Sequence, residues 1–362
     1  RLKHAAYALL AALCAGHADS QRAVFEELPL IMEALPDFEE PTLVLLAALV
    51  DGNRPLAAAL PPSLPLMLVE KHLAARGAPS DEPAAASRAL AGSRHRLLLA
   101  LVAPGGAPLR AVQEIVLHAL LTPRPGEPPL DGALAIEPET PAYVQRQEAT
   151  APNARGEAAR VGQWQLQTLA LLAACAHGPS QLAEARLHAL YPLRHLLSAL
   201  LDTATPRPLS AALLPLLQHA HIESQLRPLS LGDHPLLGRL LAAVAASIDR
   251  VSWKLPLKSL RTAHGTLHYE LAAAVPFVLS LVDGGADGSG PPVGADGALV
   301  GTAMDVLAKV SVSEVLLFPR HADLRRRLLR VVPASRSALS TPRRSPLAVR
   351  AAAVGGGGGS AP

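Results

Sequence analysis

Cysteine and histidine pairs come nearest to a metal-binding pattern in this chain. Cys14 lies three residues before His17, and Cys175 lies two residues before His177. Structural zinc ions usually take four ligands, commonly supplied as two such pairs. No second pair accompanies either one in the sequence, so we interpret both cysteines as small buried hydrophobic residues of helices. We therefore expect no metal-ligating residue.

Three histidines, His219, His221 and His234, also lie near one another in the sequence. His219 and His221 point to different sides of a helix, which favours solvated or capping positions. A nucleophilic cysteine would need a histidine partner in space, and the sequence carries no GxSxG, HExxH or dinucleotide-binding motif in a credible context. We expect no catalytic residue and no cofactor, and we expect that the protein is not an enzyme. An exposed Cys14 or Cys175 beside a histidine would reverse this expectation.

The densest positive patch, Arg325, Arg326, Arg327 and Arg330, lies on a terminal helical pattern. Because no aromatic residues alternate with these arginines for base stacking, we interpret the patch as a solvated helix face. With 33 basic and 30 acidic residues the net charge is only +3, so we expect no nucleic-acid partner. The glycine-rich residues 284–290 lack the strand and the Lys-Ser/Thr of a phosphate-binding loop and predict a flexible linker.

The composition favours helices throughout. Half of the residues are hydrophobic but only 3% are aromatic, and the remainder is mainly Leu, Ala and Val, which excludes the all-β classes. The two tryptophans, Trp164 and Trp253, are expected to be core residues. The longest apolar runs, such as residues 43–50, fall far short of the ~20 residues that a bilayer requires, so we expect no membrane span in this segment. The chain begins with Arg1 inside a helical pattern, and we expect it to be a piece of a longer cytosolic protein.

The same pattern of short apolar helices separated by Pro, Gly and Asp occurs twice. We predict a first helical block at residues 1–121 and a second at 160–282, joined by a Pro- and Glu-rich disordered linker at 122–159. A flexible Gly-rich linker at 283–297, terminal helices at 298–332 and a disordered tail at 333–362 complete the organisation.

An internal repeat marks the unit of this organisation. The segment LLAALCAGHADSQ, residues 9–21, returns as LALLAACAHGPSQ, residues 169–181. In the second copy Gly178 predicts a helix stop, Ser180 an N-cap and Pro192 a further helix start. Three short helices in about 40 residues are typical of an armadillo repeat. We therefore predict an all-α fold, an armadillo/HEAT-like α-solenoid with disordered linkers and a disordered tail.

The two repeated segments also resemble a known family. LLAALCAGHADSQRAVFEELPLIMEAL, and the stretch that begins LLAACAHGPSQLAEARLHALYPLRHLLSALL, are similar to the central armadillo-like homology region that inositol trisphosphate receptors share with ryanodine receptors. The similarity extends over residues 4–250 and more loosely to 332. Ser20-Gln21 stands where the family has Asn-Gln, residues 122–159 have no counterpart, and helix surfaces are largely Ala and Arg.

The resemblance implies a non-catalytic regulatory solenoid of an intracellular calcium-release channel. Such a region would lie on the cytosolic face of an endoplasmic-reticulum-type membrane. It would contact other domains or subunits of a homotetramer and transmit ligand-binding signals to a pore outside this segment. The alternative is an independent armadillo-type scaffold that binds protein partners along a groove.

Overall fold

A computed structural model of the chain describes residues 2–75, 84–122, 134, 136–137, 141–178, 180–226, 234–251, 253, 267, 269–282, 297–313, 316 and 321–332. All regular elements within these ranges are helical, so the predicted all-α class is confirmed. The first eight helices are α1 (Leu2–Cys14), α2 (Ala18–Phe25), α3 (Leu28–Glu33), α4 (Glu39–Val50), α5 (Arg54–Ala59), α6 (Ser63–Ala74), α7 (Ala84–Val102) and α8 (Arg110–Leu121).

The structure also has π-helical turns at Gln218–Ile222 and Glu270–Ala274 and a 3-10 turn at Pro104–Gly106. The remaining helices follow in chain order. They are α9 (Pro141–Thr150), α10 (Gly156–Ala176), α11 (Gln181–Leu190), α12 (Leu193–Leu201), α13 (Arg207–Leu217), α14 (Pro235–Asp249), α15 (Val275–Val282), α16 (Gly297–Ser311) and α17 (Ala322–Val331).

Every third helix of the N-terminal two thirds belongs to one row. α1 packs on α4, α4 on α7, α7 on α10, and α10 on α13. α4 is apolar around most of its circumference, and its side chains at Leu43, Leu46 and Val50 are fully buried, as expected for a helix with a neighbour on each side. The row therefore advances along the molecule in the order of the chain.

A second set of helices lies beside this first row. α6 packs on α8, α12 on α14, and α14 on α16, while α9 lies against α10. Gly162 of α10 allows the close approach of α9, because a Cβ at that position would lie 1.9 Å from the carbonyl oxygen of Ala149. The first row and these helices enclose a core made mainly of Leu, Val and Ala.

The helix boundaries around residue 180 agree with the sequence. Gly178 adopts a left-handed φ of 90° directly after α10, a conformation that favours glycine. The Ser180 side chain then caps α11 by accepting from the backbone N–H of Ala183 at 3.4 Å. Pro192 precedes α12 at its N-cap. These three predictions are confirmed.

The predicted disordered linker at 122–159 is wrong where the structure describes it. Helix α9 lies inside that segment, and α10 begins at Gly156 rather than near residue 160. Tyr143 and Arg146 of α9 are 2% and 0% exposed, and the Tyr143 hydroxyl bonds to Asp202 and Thr205. The high Pro and Glu content concealed a helix whose stability comes from tertiary contacts rather than from its own periodicity.

The two predicted helical blocks are in direct contact. α10, in the second block, packs on α7 and α8 of the first. Most of the predicted Gly-rich linker 283–297, apart from Gly297 at the start of α16, and the predicted tail 333–362 lie outside the described residues. Within the predicted terminal segment 298–332 the structure has α16, which begins one residue earlier at Gly297, and α17.

Candidate functional site

The end of α10 is held in place by Gln113 of α8. Its amide Nε2 donates to the carbonyl oxygens of Ala174 at 3.0 Å and of His177 at 2.7 Å. The last carbonyls of a helix lack the usual partners within the helix, and Gln113 supplies a donor to that of His177 and a second donor to that of Ala174, which also accepts from the His177 N–H. Gly178 lies so close to Pro108 that a Cβ there would approach its Cγ to 2.7 Å. These contacts fix the backbone that carries His177.

The end of α13 takes an unusual form next to it. Pro215 lies inside α13 and supplies no backbone N–H, which interrupts the α-helical hydrogen-bond ladder. The helix continues as the π-turn Gln218–Ile222, closed by the N–H of Glu223 donating to the Gln218 carbonyl at 2.8 Å. Such turns are rare and occur frequently at functional sites.

His177, His219 and Glu223 converge between these two helix ends. One potential ligand atom from each lies within 4.8 Å of the others. The rings of His177 and His219 have centroids 4.5 Å apart, and His219 Nδ1 lies 2.7 Å from Glu223 Oε2. We call these three residues the His-His-Glu cluster. Imidazole nitrogens with one carboxylate are a ligand set that divalent transition metals accept.

The charge states of the cluster follow from its surroundings. Burial, together with a smaller effect of the neighbouring His219, lowers the pKa of His177 to about 4. At neutral pH this imidazole therefore carries no charge. Burial alone would raise the pKa of Glu223, but the hydrogen bond and charge of His219 outweigh it and bring that pKa to about 2. The cluster thus combines a neutral imidazole with an ionised carboxylate.

Glu223 has two further neighbours. Gln218 Nε2 donates to its Oε1 at 2.8 Å, and Arg327 Nη2 from α17 lies 3.7 Å from the same oxygen. Both contacts orient the carboxylate. They leave Oε2 directed toward His219.

A second histidine pair joins His221 of the π-turn to His188 of α11. His221 stacks on His188 with ring centroids 4.2 Å apart and planes 2° from parallel. Nε2 of His221 is 2.8 Å from the Tyr191 carbonyl oxygen, and Nε2 of His188 is 2.5 Å from that of Ala220. His221 is buried, so the prediction of a solvated or capping role is wrong for it. His234 occupies the N-cap position of α14, but its side chain makes no capping hydrogen bond there.

A cleft opens elsewhere between α6, α7 and α10. Its floor is the buried face of Trp164, and Arg88, Ala91 and Arg94 of α7 line one side. Arg94 Nε is also 2.8 Å from Glu39, which Lys71 approaches to 3.0 Å. Burial raises the pKa of Glu39, but the Arg94 and Lys71 contacts outweigh it and lower the pKa overall. Arg94 is therefore already neutralised by a carboxylate at the edge of the cleft.

Both cysteines are buried, as predicted. Burial raises the pKa of the Cys14 thiol, and it raises that of the Cys175 thiol beyond the physiological range. Sulfur nucleophiles and metal ligands need the thiolate, so neither environment favours that chemistry. Trp164 and Trp253 are buried core residues, also as predicted.

The predicted arginine patch divides between different neighbours. Arg326 and Arg330 are exposed, and Arg326 pairs with Asp323 of the same helix. Arg327 instead faces the His-His-Glu cluster. Interpreting the patch as a solvated face therefore holds for Arg326 and Arg330 but not for Arg327, nor for Arg325, which is half-buried.

Sequence reasoning missed the His-His-Glu cluster. The spacing of four between His219 and Glu223 places both side chains on one helix face, and this signal was available. His177 belongs to a different helix end, and only tertiary packing brings it near. Neither a scan of protein-family models nor a search of curated proteins finds a match to this chain. Within the described ranges, no helix combines the length and apolar character that crossing a membrane requires.

Proposed function

We propose that this chain is an armadillo-like α-solenoid that acts as a non-catalytic protein-interaction region. The observation that carries the proposal is the row α1, α4, α7, α10 and α13, in which every third helix packs on the next. Solenoid repeats bury their apolar faces against sequence neighbours in this way, and the resulting extended surface is suited to binding other proteins.

A recurring polar contact supports the same architecture. Gln21 of α2 donates to the carbonyl oxygens of Ala48 and Asp51 at the end of α4, each at 2.9 Å. Gln113 of α8 holds the end of α10 through the same two types of bond. In both cases a buried glutamine of a shorter helix anchors the end of a helix in the first row.

A glutamate rather than a glutamine makes the comparable contact at the end of α13. Glu184 of α11 accepts from the Ser224 hydroxyl at 2.7 Å and from the Leu226 N–H at 3.2 Å, just after the π-turn that ends α13. A polar side chain of a shorter helix thus contacts the chain at the ends of α4, α10 and α13, as expected of repeats that share a plan but differ in sequence.

Hydrogen exchange tests the solenoid. In a repeat array, stability is a sum of local terms, so one part of the array can open while distant parts remain closed. Leu46→Ala, at a fully buried position of α4, should increase amide exchange in α1, α4 and α7 and leave α13 protected. Leu213→Ala in α13 is the matched control and should give the reverse pattern. A uniform loss of protection in both variants would contradict the proposal.

The cleft above Trp164 is the proposed contact surface for a protein partner. It lies between helices of successive units, and it combines an aromatic floor with arginine and glutamine side chains at its rim. Trp164 is only 5% exposed, so a partner would contact mainly the rim side chains, and arginine is among the residues that contribute most to protein binding.

Site-specific photocrosslinking of the full-length protein in cells tests this surface. A photoreactive residue at Ala91, which lines the cleft, should form adducts with a partner. The same residue at Ala89, which is exposed and lies two positions away on α7, is the control and should form none. Equal adduct formation at both positions, or none at either, would reject the cleft as the binding surface.

A regulatory solenoid of a calcium-release channel is the more specific candidate. The segments quoted above for their resemblance to inositol trisphosphate receptors favour it, and it implies location at an endoplasmic-reticulum-type membrane and contacts with other parts of a tetramer. Recovery of the complete transcript tests it. The channel proposal requires a basic ligand-binding region upstream and a six-helix pore downstream, and an open reading frame that lacks both leaves the independent scaffold.

A further inference from the structure

We propose that the His-His-Glu cluster binds a zinc ion through His177, His219 and Glu223, with a fourth coordination position open to water. This inference is independent of the protein-binding proposal. Three ligands that combine imidazole and carboxylate with one open position form a known class of zinc coordination. The three residues come from two helix ends that belong to successive helices of the first row.

The geometry requires only a small adjustment. The candidate ligand atoms lie within 4.8 Å of one another. Around a tetrahedral zinc ion with bonds of about 2.0–2.2 Å, ligand atoms stand roughly 3.3 Å apart. His219 Nδ1 and Glu223 Oε2 are 2.7 Å apart in a hydrogen bond, so zinc would replace the shared proton and separate these two atoms slightly, while the candidate ligand atoms that stand farther apart, up to 4.8 Å, would draw together.

The backbone around the cluster is fixed in advance. Gln113 holds the carbonyl of His177, and Gly178 turns tightly against Pro108. The π-turn that follows Pro215 is closed by the Glu223 N–H. Metal sites need such supporting contacts because these keep the ligands in position. Zinc bound here would join the end of α10 to the end of α13.

The positive charge of Arg327 disfavours cation binding at the cluster. The Arg327 guanidinium lies 3.7 Å from Glu223 Oε1, and its positive charge repels a divalent cation at Oε2. Arg327→Gln should therefore tighten zinc binding, roughly tenfold if the removed repulsion is about 1.4 kcal/mol. A role for these residues in packing alone would give no such increase.

Titration calorimetry of the full chain with Zn²⁺ is the test. We expect one equivalent of zinc to bind. His219→Gln and Glu223→Gln should each weaken the affinity by more than the roughly 10–100-fold that loss of a second-shell partner costs. The matched control is His17→Gln: His17 follows Cys14 much as His177 follows Cys175, and it is exposed and makes no side-chain capping bond. It should leave zinc affinity unchanged.

Cobalt supplies an independent readout. Co²⁺ in place of zinc should give the intense visible absorption of a four-coordinate site in the native chain and in His17→Gln, and Glu223→Gln should abolish it. Should His219→Gln fail to fold, Glu223→Gln still decides, because that side chain is 29% exposed and its loss leaves the core intact. Zinc affinity that falls equally in His17→Gln, or that is the same in all variants, would overturn the site.

Discussion

The indole Nε1 of Trp164 donates a hydrogen bond of 2.9 Å to the backbone carbonyl of His72. The two residues are far apart in the sequence, at the end of α6 and within α10, and their rings also stack with centroids 5.9 Å apart. The His72 ring in turn approaches Thr168 Oγ1 to 2.8 Å. This buried polar contact joins the two parts of the molecule that the sequence divided into separate blocks.

Replacing Trp164 tests how strongly this contact joins them. Trp164→Phe leaves the His72 carbonyl without its donor, and an unpaired buried acceptor costs about 1–3 kcal/mol. The free energy of unfolding, measured by urea denaturation, should fall by at least that amount. Trp253→Phe is the comparison: it removes a bond to Ile248 within one local turn and should raise amide exchange near α14 only. An increase in amide exchange that is confined to α10 in Trp164→Phe would argue against coupling between α6 and α10.

His72 should make the protein sensitive to mild acid. Burial lowers its pKa to about 3, whereas an unfolded histidine has a pKa of about 6.5. Below about pH 6 the unfolded chain binds a proton that the folded chain does not, so stability falls as pH decreases toward 3.

A His72→Gln variant isolates this effect. Between about pH 6 and pH 4 the native chain should lose roughly 1.4 kcal/mol per pH unit more than the variant. Urea unfolding curves measured at several pH values give both slopes. Parallel slopes would show that His72 is protonated equally in the folded and unfolded states.

Two glutamines at corresponding positions of the internal repeat should contribute differently to the free energy of unfolding. Gln21 is 2% exposed and anchors the end of α4, whereas Gln181, its counterpart in the internal repeat, is exposed. Gln21→Ala should cost about 1–3 kcal/mol because two helix-end carbonyls lose their donor. Gln181→Ala should change stability by less than about 0.5 kcal/mol. Equal melting temperatures for the two variants would contradict the assigned role of Gln21.

Two helical glycines should respond in opposite directions to alanine. Gly162→Ala places a Cβ 1.9 Å from the Ala149 carbonyl oxygen and must push α9 away from α10, which should cost about 1–3 kcal/mol or more. Gly92→Ala in α7 meets nothing within 4 Å and should stabilise by about 0.5–1 kcal/mol, since alanine is the better helix former. Thermal unfolding followed by circular dichroism measures both, and stabilisation by Gly162→Ala would show that α9 does not lie against α10.

The sequence alone determined the helical class and several boundaries. A high content of Leu and Ala, Gly178 at a helix end, and Ser180 and Pro192 at helix starts are local signals, because each acts through the backbone of its own few residues. The burial of Cys14, Cys175 and both tryptophans also followed from their apolar surroundings in the chain.

Tertiary structure alone decided the rest. Helix α9 forms in a Pro- and Glu-rich segment because Tyr143 and Arg146 are buried against other helices, which no local pattern encodes. His177 meets His219 and Glu223 because α10 packs on α13 and because Pro215 and the π-turn set the end of α13. Local signals specify where a helix begins and ends, but the distances between side chains on different helices depend on how the whole set packs.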